Sequence, residues 1–209
     1  MKLQCIVPEP MAANCYILTD DNGNAVLFDP GTESEKIIKT LKNINLQYII
    51  LTHGHYDHIL GVDALRKAHP EAKIVFPEKE RRCLENGTYS LTAFHGMEQP
   101  DFKPDVYVSD GDTIEFSDSK IEVIGTPGHT EGGTCYYLEK EKMLFSGDTL
   151  FRLGYGRTDF PGSNEADMYR SLKKIGSLPD DTKVYPGHGP ETVLSFEKKN
   201  NTILRLNLC

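Results

Sequence analysis

The sequence predicts a layered α/β domain, and three observations predict it. Short apolar or alternating runs recur along the whole chain and read as strands. Amphipathic helical patterns lie between several of them. The chain has 209 residues, enough to bury a sizeable core in one large domain. Many strands with helices outside them settle into layers around such a core.

In chain order, strands are expected at "LQCIV", "CYIL", "AVLFD", "QYIILT", "KIVF", "DTIEF", "KIEVIG", "CYYLE" and "KMLFSG". Each is rich in β-branched, aromatic or other apolar residues. The first helix is expected over 32–44, where Ile37, Ile38, Leu41 and Ile44 share a face and Thr32 with Glu35 forms a capping box. A second is expected over 59–68, with Val62 and Leu65 turned inward and Pro70 marking its end. A third, in 165–178, repeats Met168, Leu172 and Ile175 on one face; a weaker fourth covers 191–204. Residues 78–105 are polar and irregular and are expected to be a loop or helical insertion. No internal repeat and no linker interrupts the chain, so residues 1–209 are expected to form a single domain carrying that insertion.

Composition narrows the function classes. Hydrophobic content of 38% and charged content of 26% describe an ordinary globular protein. A net charge of −8 makes a poor partner for nucleic acid or an anionic membrane. No window approaches the length of apolar chain that a membrane span needs. The N-terminal "MKLQCIVPEPMAANCYIL" does not read as a secretory signal. The five cysteines are odd in number, scattered and without CxxC spacing, as expected of reduced thiols in the cytoplasm. Cys209, the last residue, is given no role.

The chemistry is concentrated in "LTHGHYDHILG", where His53, His55, Asp57 and His58 fall within six positions after an apolar strand. Two further histidines occur in Gly-rich turns at strand ends: His129 in "GTPGHTEGG" and His188 in "YPGHGPE". Asp148 follows the strand "KMLFSG" in the same manner. Only His69 and His95 lie outside such settings.

Seven candidate ligands exceed the four to six that one first-row metal takes. Two metals sharing a bridging carboxylate fit the count. His53, His55 and His129 would hold the first, Asp57, His58 and His188 the second, and Asp148 would bridge. Residues i and i+2 of an extended chain point the same way, which lets His53 and His55 share one ion. The donors are nitrogen and oxygen alone, so Zn²⁺, Fe and Mn²⁺ all suit. A metal-bound hydroxide, formed near neutral pH, would attack an ester, thioester, amide or phosphate. The second metal would stabilise the oxyanion. Asp57 is assigned a further catalytic role, orienting the hydroxide by a hydrogen bond. Asp29, closing the strand in "LFDPG", is the candidate carboxylate supporting the ligand loop from behind.

Together "HGHYDH", "PGHT", "GDTLF", "GRTDF" and "YPGHGPET" resemble the metallo-β-lactamase-fold hydrolases, in particular the short glyoxalase II-like (hydroxyacylglutathione hydrolase-like) group. The resemblance runs from about residue 1 to residue 200. It implies a four-layer αββα sandwich with a binuclear site at one edge. It also implies hydrolysis of a small-molecule acyl-thiol thioester of the acyl-glutathione kind; the net charge and the lack of a long apolar window are what leave no nucleic-acid or membrane partner expected. Arg157 in "GYGRTDF" and its neighbour Tyr155 are candidate substrate contacts, the former through a bidentate bond to a carboxylate.

The chain departs from full-length glyoxalase II by stopping about 20 residues after "PGHGP", so a C-terminal glutathione-binding domain is expected to be absent. The class B β-lactamases share the fold, but many carry cysteine where Asp148 stands and are exported; Asp148 and the missing signal count against lactam hydrolysis. A persulfide dioxygenase, which shares the "GRTDF" element, is the alternative. It would use one iron on His53, His129 and Asp148.

Overall fold

A computed structural model describes residues 1–7, 12–32 and 35–207. Cys209 lies outside the described residues. The chain forms two compact units, Met1–Phe76 with Arg81–Val108, and Pro77–Glu80 with the chain from Ser109 onward.

The first unit is built on a six-stranded sheet in the order β1 (Lys2–Ile6), β2 (Cys15–Thr19), β3 (Asn24–Phe28), β4 (Asn45–Ile50), β5 (Lys73–Pro77), β6 (Val106–Val108). Strands β1 to β3 are antiparallel neighbours. From β3 to β5 the pairing is parallel, which demands a crossover each time. Helix α1 (Glu35–Thr40) supplies the first, and α2 (Tyr56–Ile59) with α3 (Val62–Ala68) the second. Alternate residues of the sheet, among them Ile17, Leu27, Ile49 and Ile74, meet Ile37 and Leu41 of the first crossover and Ile59, Val62 and Leu65 of the second. Leu18, Val26, Phe28 and Ile50, on the opposite face, are also buried. Burial on both faces explains why these strands read as near-continuous apolar runs.

Two expectations are corrected here. The first helix is shorter than 32–44, occupying Glu35–Thr40, and its expected start includes residues 33–34, outside the described ones. The helix expected over 59–68 is two helices, because Gly61 interrupts it. The Gly61 amide donates to Pro30 O at 2.7 Å, and a Cβ there would lie 2.6 Å from that oxygen and 2.3 Å from Thr32 O. Only glycine lets the backbones approach so closely. The insertion at 78–105 contains a 3₁₀ turn (Glu78–Glu80) and two short helices, α4 (Arg81–Glu85) and α5 (Thr92–His95).

The second unit has its own six-stranded sheet. Strands β7 (Thr113–Phe116), β8 (Ser119–Gly125), β9 (Thr134–Leu138) and β10 (Met143–Gly147) form an antiparallel meander. A small hairpin follows, β11 (Leu150–Phe151) with β12 (Gly154–Tyr155). Helix α6 (Glu165–Gly176) then crosses over so that β13 (Lys183–Pro186) lies parallel to β10, and β14 (Thr192–Val193) closes the edge. Met168, Leu172 and Ile175 of α6 pack on Ile124, Tyr137, Leu144 and Val184 of the sheet. Asn164 caps the helix by accepting from Asp167 N at 3.0 Å, with Glu165 and Asp167 in the first turn and Lys173 and Lys174 in the last, as the helix dipole favours.

The expected fourth helix is likewise two, α7 (Leu194–Asn200) and α8 (Thr202–Asn207). Asn201 breaks it with an extended ψ of 117°, its side chain donating to Gly154 O and Glu197. Among the described residues, no helix is long and apolar enough to cross a membrane.

Cys5 is exposed, whereas Cys15, Cys83 and Cys135 are buried thiols. Burial pushes the Cys135 thiol up to about 11 and raises that of Cys15 well above its ordinary value. Both therefore stay protonated at pH 8, and the thiolate is the reactive form. In a Cys209→Ser background, Cys5 is expected to react with a disulfide reagent in the native protein, and Cys15 and Cys135 only after denaturation. Rapid native labelling of Cys135, read by mass spectrometry, would contradict this packing.

Candidate metal centre

Parallel strand pairs place the candidate ligands. In the first unit β3 and β4 run side by side in the register Phe28↔Ile50, so Asp29 and the segment starting at Leu51 leave the sheet at the same edge. In the second, β10 and β13 do the same in the register Gly147↔Pro186, which puts Asp148 beside the chain leading to His188. Strand ends of this kind are where α/β folds gather functional groups.

In the first unit, His53, His55 and His58 are all buried, and Asp57 nearly so. The His53 ring centroid lies 4.7 Å from that of His55 and 4.0 Å from that of His58. Asp29 sits behind them, with φ of +51°, a left-handed conformation that Asp adopts more readily than most residues. Its Oδ1 accepts from Thr52 N at 2.8 Å and its Oδ2 from Thr52 Oγ1 at 2.7 Å. The same Oδ2 lies 3.0 Å from His58 Nδ1. A left-handed residue costs about 1–2 kcal/mol. Hydrogen bonds to a charged acceptor contribute about 1.5–3 kcal/mol each, so the contacts outweigh the strain.

These contacts determine which imidazole nitrogens carry protons. A carboxylate only accepts, so His58 Nδ1 holds the hydrogen and its Nε2 presents a lone pair. Thr52 Oγ1 has one hydrogen and gives it to Asp29. At 3.1 Å from His53 Nδ1 it therefore accepts, which makes Nε2 the lone-pair nitrogen of His53. That nitrogen lies 3.1 Å from His55 Nδ1. Two nitrogens on one tetrahedral zinc, each 2.0–2.1 Å from it, would be roughly 3.3–3.4 Å apart. The pair thus has a spacing that one cation fits. His58 Nε2 lies 3.8 Å from Asp57 Oδ2, again a spacing two ligands of one ion can have. The loop is seated by main-chain bonds: Ala13 N donates to Asp57 O at 3.0 Å and Tyr56 N to Ser90 O at 2.8 Å. The His95 ring, from the insertion, lies tilted against Tyr56 with 4.5 Å between centroids.

The second unit repeats the logic with different parts. His129 Nδ1 lies 2.8 Å from Arg157 O, and a carbonyl only accepts, so its Nε2 is again the lone-pair atom. That Nε2 is 3.4 Å from Asp148 Oδ2, and His188 Nε2 is 3.5 Å from the same oxygen. One carboxylate oxygen stands nearly equidistant from two imidazoles. Ser163 Oγ and Asn164 N hold the turn from α6, donating to His129 O at 2.7 Å and Gly128 O at 2.8 Å. Gly156 passes directly beneath Asp148: a Cβ there would lie 1.9 Å from Asp148 O. Two imidazoles, His129 buried and His188 half-buried, with the buried Asp148 carboxylate between them, are donors of the kind that suits a divalent metal.

The candidate substrate contacts stand apart from the two clusters in character. Arg157 is exposed, with its guanidinium held by both oxygens of Asp159 at 2.6 Å and lying 4.1 Å from the centroid of the Phe160 ring. Tyr155 packs edge-on against Tyr169. Residues that sequence reasoning missed act mainly through the backbone: the Arg157 carbonyl, Gly156 and Ser90. Thr52, beside the ligand motif and next to an Asp-bearing strand end, carried a readable signal in its hydroxyl.

Known proteins resemble this chain along almost its whole length. Hydroxyacylglutathione hydrolase GloC of Haemophilus influenzae is 32% identical over 209 residues, covering 98% of each chain. Among solved structures, BLEG-1 B3 metallo-beta-lactamase superposes with a TM-score of 0.91 at 36% identity, over 97% of this chain and 99% of that one. A protein crystallised in a di-iron-bound form gives 0.84 at 31%, over 96% and 100%. ETHE1 from Myxococcus xanthus gives 0.77 at 28%, over 98% and 85%. These neighbours share the fold class that the sequence predicts. The family profile for the Metallo-beta-lactamase superfamily matches residues 8–188, a span that takes in β2 to β13 and every candidate ligand, and the chain accordingly belongs to that superfamily.

Proposed function

We propose that this chain is a metal-dependent hydrolase that cleaves a small-molecule acyl-thiol thioester of the hydroxyacylglutathione kind. The observation that carries the reading is the end-to-end likeness to GloC. The lone-pair arrays at the sheet edges support it. His53, His55 and His129 are the proposed ligands of one divalent ion, and Asp57, His58 and His188 of a second. Asp148 would bridge them, a role its near-equal distances to His129 and His188 suit.

When bound, two divalent ions, zinc first with iron or manganese as substitutes, supply hydroxide near pH 7 and stabilise the oxyanion of the attacked carbonyl. The chain's own residues do the rest. Asp57 accepts a hydrogen bond from the nucleophile and orients it. Asp29 and Thr52 hold His53 and His58 as ligand tautomers, and the Arg157 carbonyl does so for His129. Tyr155 and Arg157 remain proposed substrate contacts. For Arg157, a substrate carboxylate would have to take the place of Asp159.

A second reading, a persulfide dioxygenase with one iron on His53, His129 and Asp148, is favoured by the likeness to ETHE1. Metal content separates the two. The hydrolase reading predicts about two metals per chain and turnover of S-lactoylglutathione or a related acyl-thiol, abolished by a chelator and restored by zinc. One iron per chain with oxygen consumption on glutathione persulfide would replace it. The likeness to BLEG-1 puts a β-lactam on the same panel.

A second expectation concerns Asp29. Replacing a carboxylate that orients metal-ligating histidines costs about 10–100-fold in metal affinity. Asp29→Ala is expected to lose zinc affinity to that extent in competition with a chromophoric chelator, with its circular dichroism unchanged. Wild-type affinity in the folded variant would remove Asp29 from the account.

A further inference from the structure

Glu197 is a fully buried carboxylate that the proposed reaction does not use. Its Oε1 accepts from Thr192 Oγ1 at 2.7 Å. Its Oε2 accepts from Leu153 N at 2.9 Å and from Asn201 Nδ2 at 3.0 Å. A buried charge is costly unless its hydrogen bonds are made, and bonds to an ionised acceptor are the strong ones. This carboxylate therefore holds its partners firmly.

The partners lie in two segments. Leu153, with φ of +61°, is in the turn of the β11–β12 hairpin, which begins just after Asp148. Thr192 opens β14, just after the loop that carries His188. The hairpin reaches back to all three proposed ligands of this unit. Its Phe151 ring meets the His188 ring edge-on, 6.0 Å between centroids and 81° between planes. Its far strand leads into Gly156 and Arg157, which pack beneath Asp148 and receive His129 Nδ1. Asn201 adds a bond to Gly154 O at 3.1 Å in the same turn.

We propose that Glu197 is a positioning residue for the Asp148–His129–His188 cluster. It ties the hairpin after Asp148 to the strand after His188, and so fixes the spacing at which those side chains hold a metal. The inference rests on the metal-binding reading above.

The test compares wild type, Glu197→Gln and a core control, Ile121→Ala, buried in β8. Glutamine keeps the shape but replaces one acceptor oxygen with a donor. Hydrogen exchange on the metal-free protein should rise in both 150–157 and 187–193 for Glu197→Gln. Chelator competition should show zinc held about 10–100-fold more weakly. Ile121→Ala should lose thermal stability while its zinc affinity stays close to wild type. Should Glu197→Gln not fold, Asn201→Ala removes bonds to Glu197 and Gly154 together and gives the same readout. Ordinary exchange in either segment overturns the tie whatever the metal does. Zinc loss no greater than in the core control overturns the positioning role. A wild-type chain that takes up no zinc sinks the metal reading, and the positioning role with it.

Discussion

The histidine cluster of the first unit depends on one buried carboxylate. Asp29 leaves β3 in a left-handed turn and faces Thr52 and His58 on the neighbouring strand's continuation. Its two oxygens are acceptors only, and that single fact propagates. It forces the proton onto His58 Nδ1 directly and onto His53 Nδ1 through the Thr52 hydroxyl. Two imidazoles then face away from the carboxylate with lone pairs, the form in which a neutral imidazole ligates. A lysine or amide at position 29 would scramble those tautomers while leaving every ligand in the sequence intact.

The cluster of the second unit reaches the same state without a carboxylate behind it. A main-chain carbonyl, Arg157 O, orders His129. Glycine at 156 brings that segment close enough to matter. In both units the decisive geometry is a parallel strand pair, whose common end delivers one residue from each strand to the same edge. The layered fold thus serves the site by register, and the helices α1, α3 and α6 serve it by allowing parallel neighbours to exist.

Much of this was legible in the sequence, for a physical reason in each case. Buried strands such as "AVLFD" and "CYYLE" carry their burial as apolar runs. Clustered histidines after a strand announce a donor set. Asp29 was readable as a carboxylate at a strand end. What was not legible acts without a side-chain signature or across long separations. The Arg157 carbonyl is common to any residue, and only its guanidinium, which holds Asp159, attracted notice. Gly61 splits a helix because of a contact with Pro30 and Thr32 that periodicity does not encode. Asn201 splits another by bonding to a turn almost fifty residues earlier. Strands of two or three residues, β6, β11, β12 and β14, are too short to show a pattern. Superfamily membership does not choose the chemistry either: relatives of similar identity carry the names hydroxyacylglutathione hydrolase, metallo-beta-lactamase and ETHE1. One fold supports several reactions, and the site must decide among them.

The central claim is that the protein itself holds His53, His58 and His129 in the Nδ1–H tautomer, ready to ligate through Nε2. Long-range ¹H–¹⁵N correlation spectra of the imidazoles in metal-free protein report this directly. The account predicts a protonated Nδ1 and an unprotonated Nε2 for all three, with Asp29→Ala releasing His53 and His58 and leaving His129 unchanged. Nε2–H tautomers at His53 or His58 in the wild-type protein would contradict it.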